Sequence, residues 1–150
     1  VFCVGHLVYM LVPGYGPHRS LAHEFQNELP HGMWRDMVMA TVASGGSQMD
    51  IFPSLHTAAP SFLALYSFRH RDKLPFKASW PVTAFCAVNI IGATMFLRWH
   101  YVIDVVAGLS LATAAFVVGT RVTAWELEKS KNGGPEGWPR FRRGPIPLPR

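Results

Sequence analysis

Two runs of 20 residues limit what this chain can become. Ala78 to Leu97 holds no ionisable side chain other than Cys86, and Tyr101 to Thr120 carries a single charge, Asp104. As helices rising ~1.5 Å per residue, each spans the ~30 Å hydrocarbon core of a bilayer. Lipid offers no partners to backbone N–H and C=O groups, and a helix satisfies them internally. The sequence therefore predicts an all-α fold, a multi-span transmembrane helix bundle. The 150 residues allow one domain, and 12 Pro and 13 Gly are too few beside 49% hydrophobic residues for disorder or collagen. Only 15% of residues are charged, against roughly 25% in a soluble domain.

The net charge of +5 invites a nucleic-acid reading until the 14 Lys and Arg are placed. Arg69, Arg71, Lys73 and Lys77 form one cluster. Arg121, Lys129, Lys131, Arg140, Arg142, Arg143 and Arg150 form another, and only Arg19, Arg35 and Arg98 lie elsewhere. Two basic segments flanking apolar helices are the positive-inside pattern, so no nucleic-acid partner is expected. The Arg69–Lys77 loop and the C-terminal tail fall on the cytoplasmic side. The Arg98-Trp99-His100 turn between the two long helices then lies on the outer face.

A third helix, from about Thr57 to Phe68, must descend from the outer face into the basic loop. It is short for a full crossing unless it starts earlier or runs on through Leu74, and Pro60 fits its first turn. Val1 to Val12, apolar apart from His6, reads as the end of a transmembrane helix whose beginning is missing, and the chain as a fragment. Between Pro13 and Asp50, Ser20–Leu29 and Met33–Ala43 suit short amphipathic surface helices, with a flexible break at Ser44-Gly45-Gly46-Ser47. Residues 1–125 thus form a membrane-embedded domain. Glu126 to Arg150, rich in Pro, Gly and basic residues, reads as a flexible cytoplasmic tail. Cys3 and Cys86, both in apolar runs, are expected to be inert buried thiols. Gly108 and Gly119 are expected to permit close helix packing.

This topology demands that useful polar groups gather on one face, and they do. Phe52-Pro53-Ser54-Leu55-His56-Thr57 opens the third helix at the outer side, and Arg98-Trp99-His100-Tyr101-Val102-Ile103-Asp104 opens the last helix there. His100 and Asp104, four apart, share one side of a helix. A carboxylate on one imidazole nitrogen fixes the tautomer and makes the other a better nucleophile. Asp104 lies in an apolar span, where an ionisable group is a functional candidate by default. His56 sits in a helix first turn that Ser54 can cap, a terminus suited to phosphate. Two histidines beside such a terminus suggest phosphoryl transfer, one attacking phosphorus and the other protonating the leaving oxygen.

At these residues the sequence resembles a known family. The strings P-S-L-H-T and H-Y-V-I-D-V-V-A-G look like the second and third signature motifs of the type 2 phosphatidic acid phosphatase superfamily, the resemblance running from about Val8 to Leu111. Leu55 in place of Gly, the H-Y-x-x-D form and Val12-Pro13-Gly14-Tyr15-Gly16-Pro17 are similar to the inositol phosphorylceramide synthase-like branch. The resemblance implies an N-terminally truncated six-helix fold in a plasma or inner membrane, with the active site facing outside or into the periplasm. It implies a lipid phosphoester substrate, no cofactor and no metal. His100 would be the nucleophile that becomes phosphohistidine, Asp104 its orienting partner, and His56 the general acid and later the base. Ser54 and the backbone after it would hold phosphate oxygens.

Two departures touch the phosphate clamp. The common phosphatases carry an Arg where this chain has Thr94, leaving Arg98 as the nearest basic substitute. The family's first motif, a Lys followed by an Arg-Pro pair, is absent from this chain.

His6, His18, His23 and His31 lack metal-ligand spacing and read as solvated or interfacial groups, and His70 as part of the basic loop. Trp80, Trp99, Tyr101 and Trp125 read as interfacial anchors. Asp104 has the alternative of bonding Thr57 or a backbone group. Three function classes follow: a lipid phosphate phosphatase, a sphingolipid-type phosphotransferase moving a headgroup to a lipid alcohol, and a non-catalytic membrane protein ligating haem through His56 and His100.

Overall fold

The structure, a computed structural model, describes residues 1–25, 32–45 and 51–131. Within them the chain is all helical: α1 (Phe2–Leu11), α2 (Pro17–Ser20), α3 (Met33–Gly45), α4 (Leu55–Arg69), α5 (Phe76–Phe96) and α6 (Val102–Lys131). His31 and the expected break at Gly46-Ser47 lie outside the described residues, as does the chain beyond Lys131. Two units are distinguished, residues 1–116 and residues 117–150, with the division falling inside α6.

The two apolar runs became α5 and α6, the helices long and apolar enough to cross a membrane. Only 6% of the apolar window of α5 and 17% of that of α6 is buried. Phe85 and Val88 on α5, and Ile103 and Val106 on α6, point large apolar surfaces outward. Cys3 and Cys86 are exposed rather than buried, contrary to expectation. Hydropathy marks a residue as unwelcome in water, yet it cannot tell a lipid-facing position from a protein interior.

α4 starts two residues earlier than Thr57 and stops at Arg69, so it does not run on through Leu74. Ser54 sets the start: its Oγ accepts the Thr57 N–H at 3.2 Å, a side-chain N-cap. The earlier start places Pro60 inside the helix rather than in its first turn. Pro60 has no N–H to give the His56 carbonyl four residues back. α4 and α5 pack side by side as a hairpin, closed at the Arg69–Phe76 end by ring contacts of Tyr66 with Phe76 and of Phe68 with Trp80.

Tyr9, Leu55, Ala58 and Ala112 form a small core joining α1, α4 and α6. Two glycines permit that approach. A Cβ on Gly5 would overlap the Leu55 side chain, and one on Gly108 would lie 2.5 Å from the Ser54 carbonyl oxygen. Gly108 therefore packs as expected, whereas Gly119 has open space around it. α3 matches its predicted span and continues through Ser44 and Gly45. The helix expected over Ser20–Leu29 does not form in its described part, where α2 ends at Ser20 and a turn follows. α6 continues through Glu126 to Lys131, into the segment expected to be a tail.

Candidate active site

α4 begins and α5 ends at the same end of their hairpin, and α6 starts there too. This brings together residues far apart in sequence. The backbone N–H of Ser54 bonds the Asp104 carbonyl at 3.1 Å, tying the start of α4 to the first turn of α6. The His56 and His100 rings then lie 5.8 Å apart, centroid to centroid. His56 is exposed, while His100 is 4% and Asp104 3% exposed.

His100 does not share a helix with Asp104, as the spacing suggests. α6 starts at Val102, because the Asp104 carboxylate reaches back to accept the Tyr101 N–H at 2.8 Å. An acidic residue at the third helical position satisfies a first-turn donor in this way. The backbone alternative for Asp104 is thus realised. The Thr57 alternative is not: Thr57 is fully buried and its hydroxyl has no partner. Asp104 still faces His100, with Oδ2 3.7 Å from Nδ1, beyond the roughly 3.2 Å of a good hydrogen bond. Nδ1 is correspondingly buried without a hydrogen-bond partner. Burial, with the neighbouring His56 adding to it and the Ile51 backbone opposing, pulls the His100 imidazole down to about 4. The ring is therefore neutral at pH 7, with one nitrogen unprotonated.

The expected anion site at the α4 start is partly filled by the protein itself. The Leu55 N–H bonds the Tyr9 hydroxyl at 3.2 Å, and the Thr57 N–H goes to Ser54. Ser54 is fully buried at the cap. Thr94, at the position of the family's Arg, turns its hydroxyl to the Ile91 carbonyl at 2.9 Å. Arg98 lays its guanidinium 3.8 Å from the centre of the Phe25 ring.

Arg98 also occupies a position that its sequence does not advertise. Its φ is 60°, the left-handed region normally given to Gly at the end of a helix. The Arg98 N–H bonds the Met95 carbonyl at 3.1 Å and the Trp99 N–H bonds the Thr94 carbonyl at 3.0 Å, the paired bonds of a Schellman ending. A non-Gly residue there costs roughly 1–2 kcal/mol.

Of the remaining histidines, His6 and His23 are exposed as expected. His18, expected to be solvated or interfacial, is half-buried, and its ring packs on Trp99 at 4.3 Å between centroids. Burial, reinforced by the charge of Arg19, holds the His18 imidazole below its ordinary value against the pull of the Arg98 backbone. His70 packs against Tyr66 and Phe76. Sequence reasoning missed Tyr9, Gly16 and Ser20 as supports of this end. Only the Gly16-Pro17 pair signalled anything, the start of a short helix.

Among the described residues, no three His, Cys, Asp or Glu side chains converge as metal ligands. No curated protein and no solved structure matches the chain. A family model described as the PAP2 superfamily matches residues 1–118, and that match does not reach the inositol phosphorylceramide synthase-like branch. The match takes in α1, both histidine-bearing turns and Asp104, and so the chain belongs to the PAP2 superfamily, whose chemistry is of the lipid-phosphoester phosphatase and phosphotransferase type.

Proposed function

We propose that this protein is a membrane-bound lipid phosphate phosphatase working through a phosphohistidine on His100. The observation that carries the reading is the meeting of His56 with His100 at 5.8 Å, with Asp104 against the opposite ring nitrogen. The His100 nitrogen turned away from Asp104 attacks phosphorus, and the bond from phosphorus to the lipid oxygen breaks. His56, on the exposed side, protonates that oxygen as it leaves. Water then attacks the phosphohistidine while His56 takes its proton, releasing inorganic phosphate and restoring His100. Asp104 stabilises the ring as it gains positive character, its distance to Nδ1 shortening in the loaded enzyme. The exposed His56, its backbone N–H and Arg98 are the groups proposed to hold phosphate oxygens. The protein's own residues supply this acid–base and nucleophilic chemistry, without a metal.

The distribution of basic residues supports the same reading. Arg69, Arg71, Lys73 and Lys77 cap the opposite end of the α4–α5 hairpin and belong on the cytoplasmic side, which puts the histidines at the outer leaflet. Residues 126–150 then lie on the cytoplasmic side. Transfer to a lipid alcohol would use the same phosphorylated His100 with a different acceptor, and ceramide added to the assay distinguishes the two by product. The family match favours phosphoryl chemistry over haem ligation at the histidine pair. The test is phosphate release from a short-chain phosphatidate by the protein in detergent. His100→Ala loses about three orders of magnitude or more while still inserting in membranes. Full activity in that variant overturns the mechanism.

A further inference from the structure

Residues 16–20 contribute nothing to the proposed reaction, yet they are fastened to the turn that carries it. The His18 N–H bonds the Arg98 carbonyl at 2.8 Å, and the His18 ring packs on Trp99. The Ser20 hydroxyl lies 2.6 Å from the Tyr101 hydroxyl. These contacts reach Arg98, Trp99 and Tyr101, the residues on either side of His100. Gly16 makes the approach possible, since a Cβ there would stand 2.5 Å from the Trp99 carbonyl oxygen.

The corner so held is one the local sequence disfavours. Arg98 sits at φ 60° where Gly is usual, and such a conformation persists only when its surroundings over-determine it. The paired helix-end bonds of α5 do part of this from within the same segment, and the His18 N–H braces the corner's backbone from a distant one. The direction of the chain leaving Trp99 decides where the His100 ring falls between His56 and Asp104.

We propose that His18 is a positioning residue for His100, holding the left-handed Arg98–Trp99 corner through its backbone N–H and the packing of its ring on Trp99. The inference rests on the reading of His100 as the nucleophile. The His18 Nδ1 is buried without a hydrogen-bond partner, and the observed contact of the ring is its packing on Trp99.

The test compares His18→Ala, His18→Phe and Gly16→Ala in the full chain, using phosphate release from a short-chain phosphatidate and amide hydrogen exchange. His18→Ala lowers kcat about tenfold or more with KM within about twofold, because a displaced nucleophile slows chemistry and not binding. Exchange over Arg98–Tyr101 becomes faster in the same variant. His18→Phe keeps the ring and stays within about threefold of the parent in kcat, with parental exchange. Gly16→Ala reproduces the His18→Ala phenotype, and the double variant falls little below the worse single one. If His18→Ala does not accumulate, Gly16→Ala carries the same measurement. Unchanged kcat and exchange in His18→Ala, or a His18→Phe as impaired as His18→Ala, overturns the proposal. Full turnover in His100→Ala instead marks failure of the catalytic reading, and the exchange data alone then decide whether His18 holds the corner.

Discussion

The two ends of the α4–α5 hairpin use polar residues in opposite ways. At the Arg69–Phe76 end the charges are numerous and exposed. Arg71 lies over the Phe68 ring at 4.3 Å and donates to the Phe68 carbonyl at 3.2 Å. Such contacts are weak and easily replaced by water. At the other end Ser54, Thr57, His100 and Asp104 are all buried, and the Thr57 hydroxyl and His100 Nδ1 lack partners. Burying an unpaired polar group costs about 1–3 kcal/mol, so its retention at one end of a small bundle needs a reason. The difference teaches where chemistry resides. In the proposed reading, the basic end orients the protein in its membrane and the sparsely charged end carries the reaction.

The comparison is broken most readily at His56. His56→Ala should lower phosphate release by roughly 10²–10⁴-fold, and least for substrates with acidic leaving groups, which need little protonation. An equal loss for good and poor leaving groups removes His56 from the general-acid role. The next effect is steric. Gly108→Ala places a methyl group against the Ser54 carbonyl and the Thr57 side chain, separating α4 from α6. It should destabilise the fold by about 1–3 kcal/mol, read as a lower Tm, and reduce turnover as well. Arg71→Ala at the basic end should stay within about twofold on turnover. Comparable losses in these two variants would erase the distinction between the ends.

A further effect is in pH. His100 titrates near 4 in the folded chain and near 6.5 when unfolded, so the folded state binds fewer protons between those values. Stability from this group is present above about pH 6.5 and is lost as the pH falls toward about 4. Tm should therefore decline through that window, and less steeply in His100→Ala. The acid limb of kcat/KM from this residue likewise falls below the ordinary imidazole range. A limb at pH 6.5 assigned to His100 contradicts its burial.

Much of this was legible in the sequence, for physical reasons. α5 and α6 follow from two long apolar runs, and the Ser54 cap from a serine three residues before Thr57. The histidine pair was legible because charge sorting and a two-motif resemblance agreed. The details that failed depend on competition between groups. Asp104 is drawn to the Tyr101 N–H, so His100 lies before α6 and not on it. Arg98 takes a left-handed corner that its own residue type does not favour and that neighbours across the fold brace. The packing of His18 on Trp99 joins residues 81 positions apart in sequence, and no local pattern reports such a contact.

The central claim is a covalent one, and trapping the intermediate tests it most directly. The purified protein would be mixed with phosphatidate labelled in its phosphate, quenched at alkaline pH within the first turnover, and mapped by mass spectrometry. Acid-labile phosphate is expected on His100, present in the parent chain and absent from His100→Ala. Phosphate on another residue, or turnover with no label retained on His100 at any quench time, would contradict it.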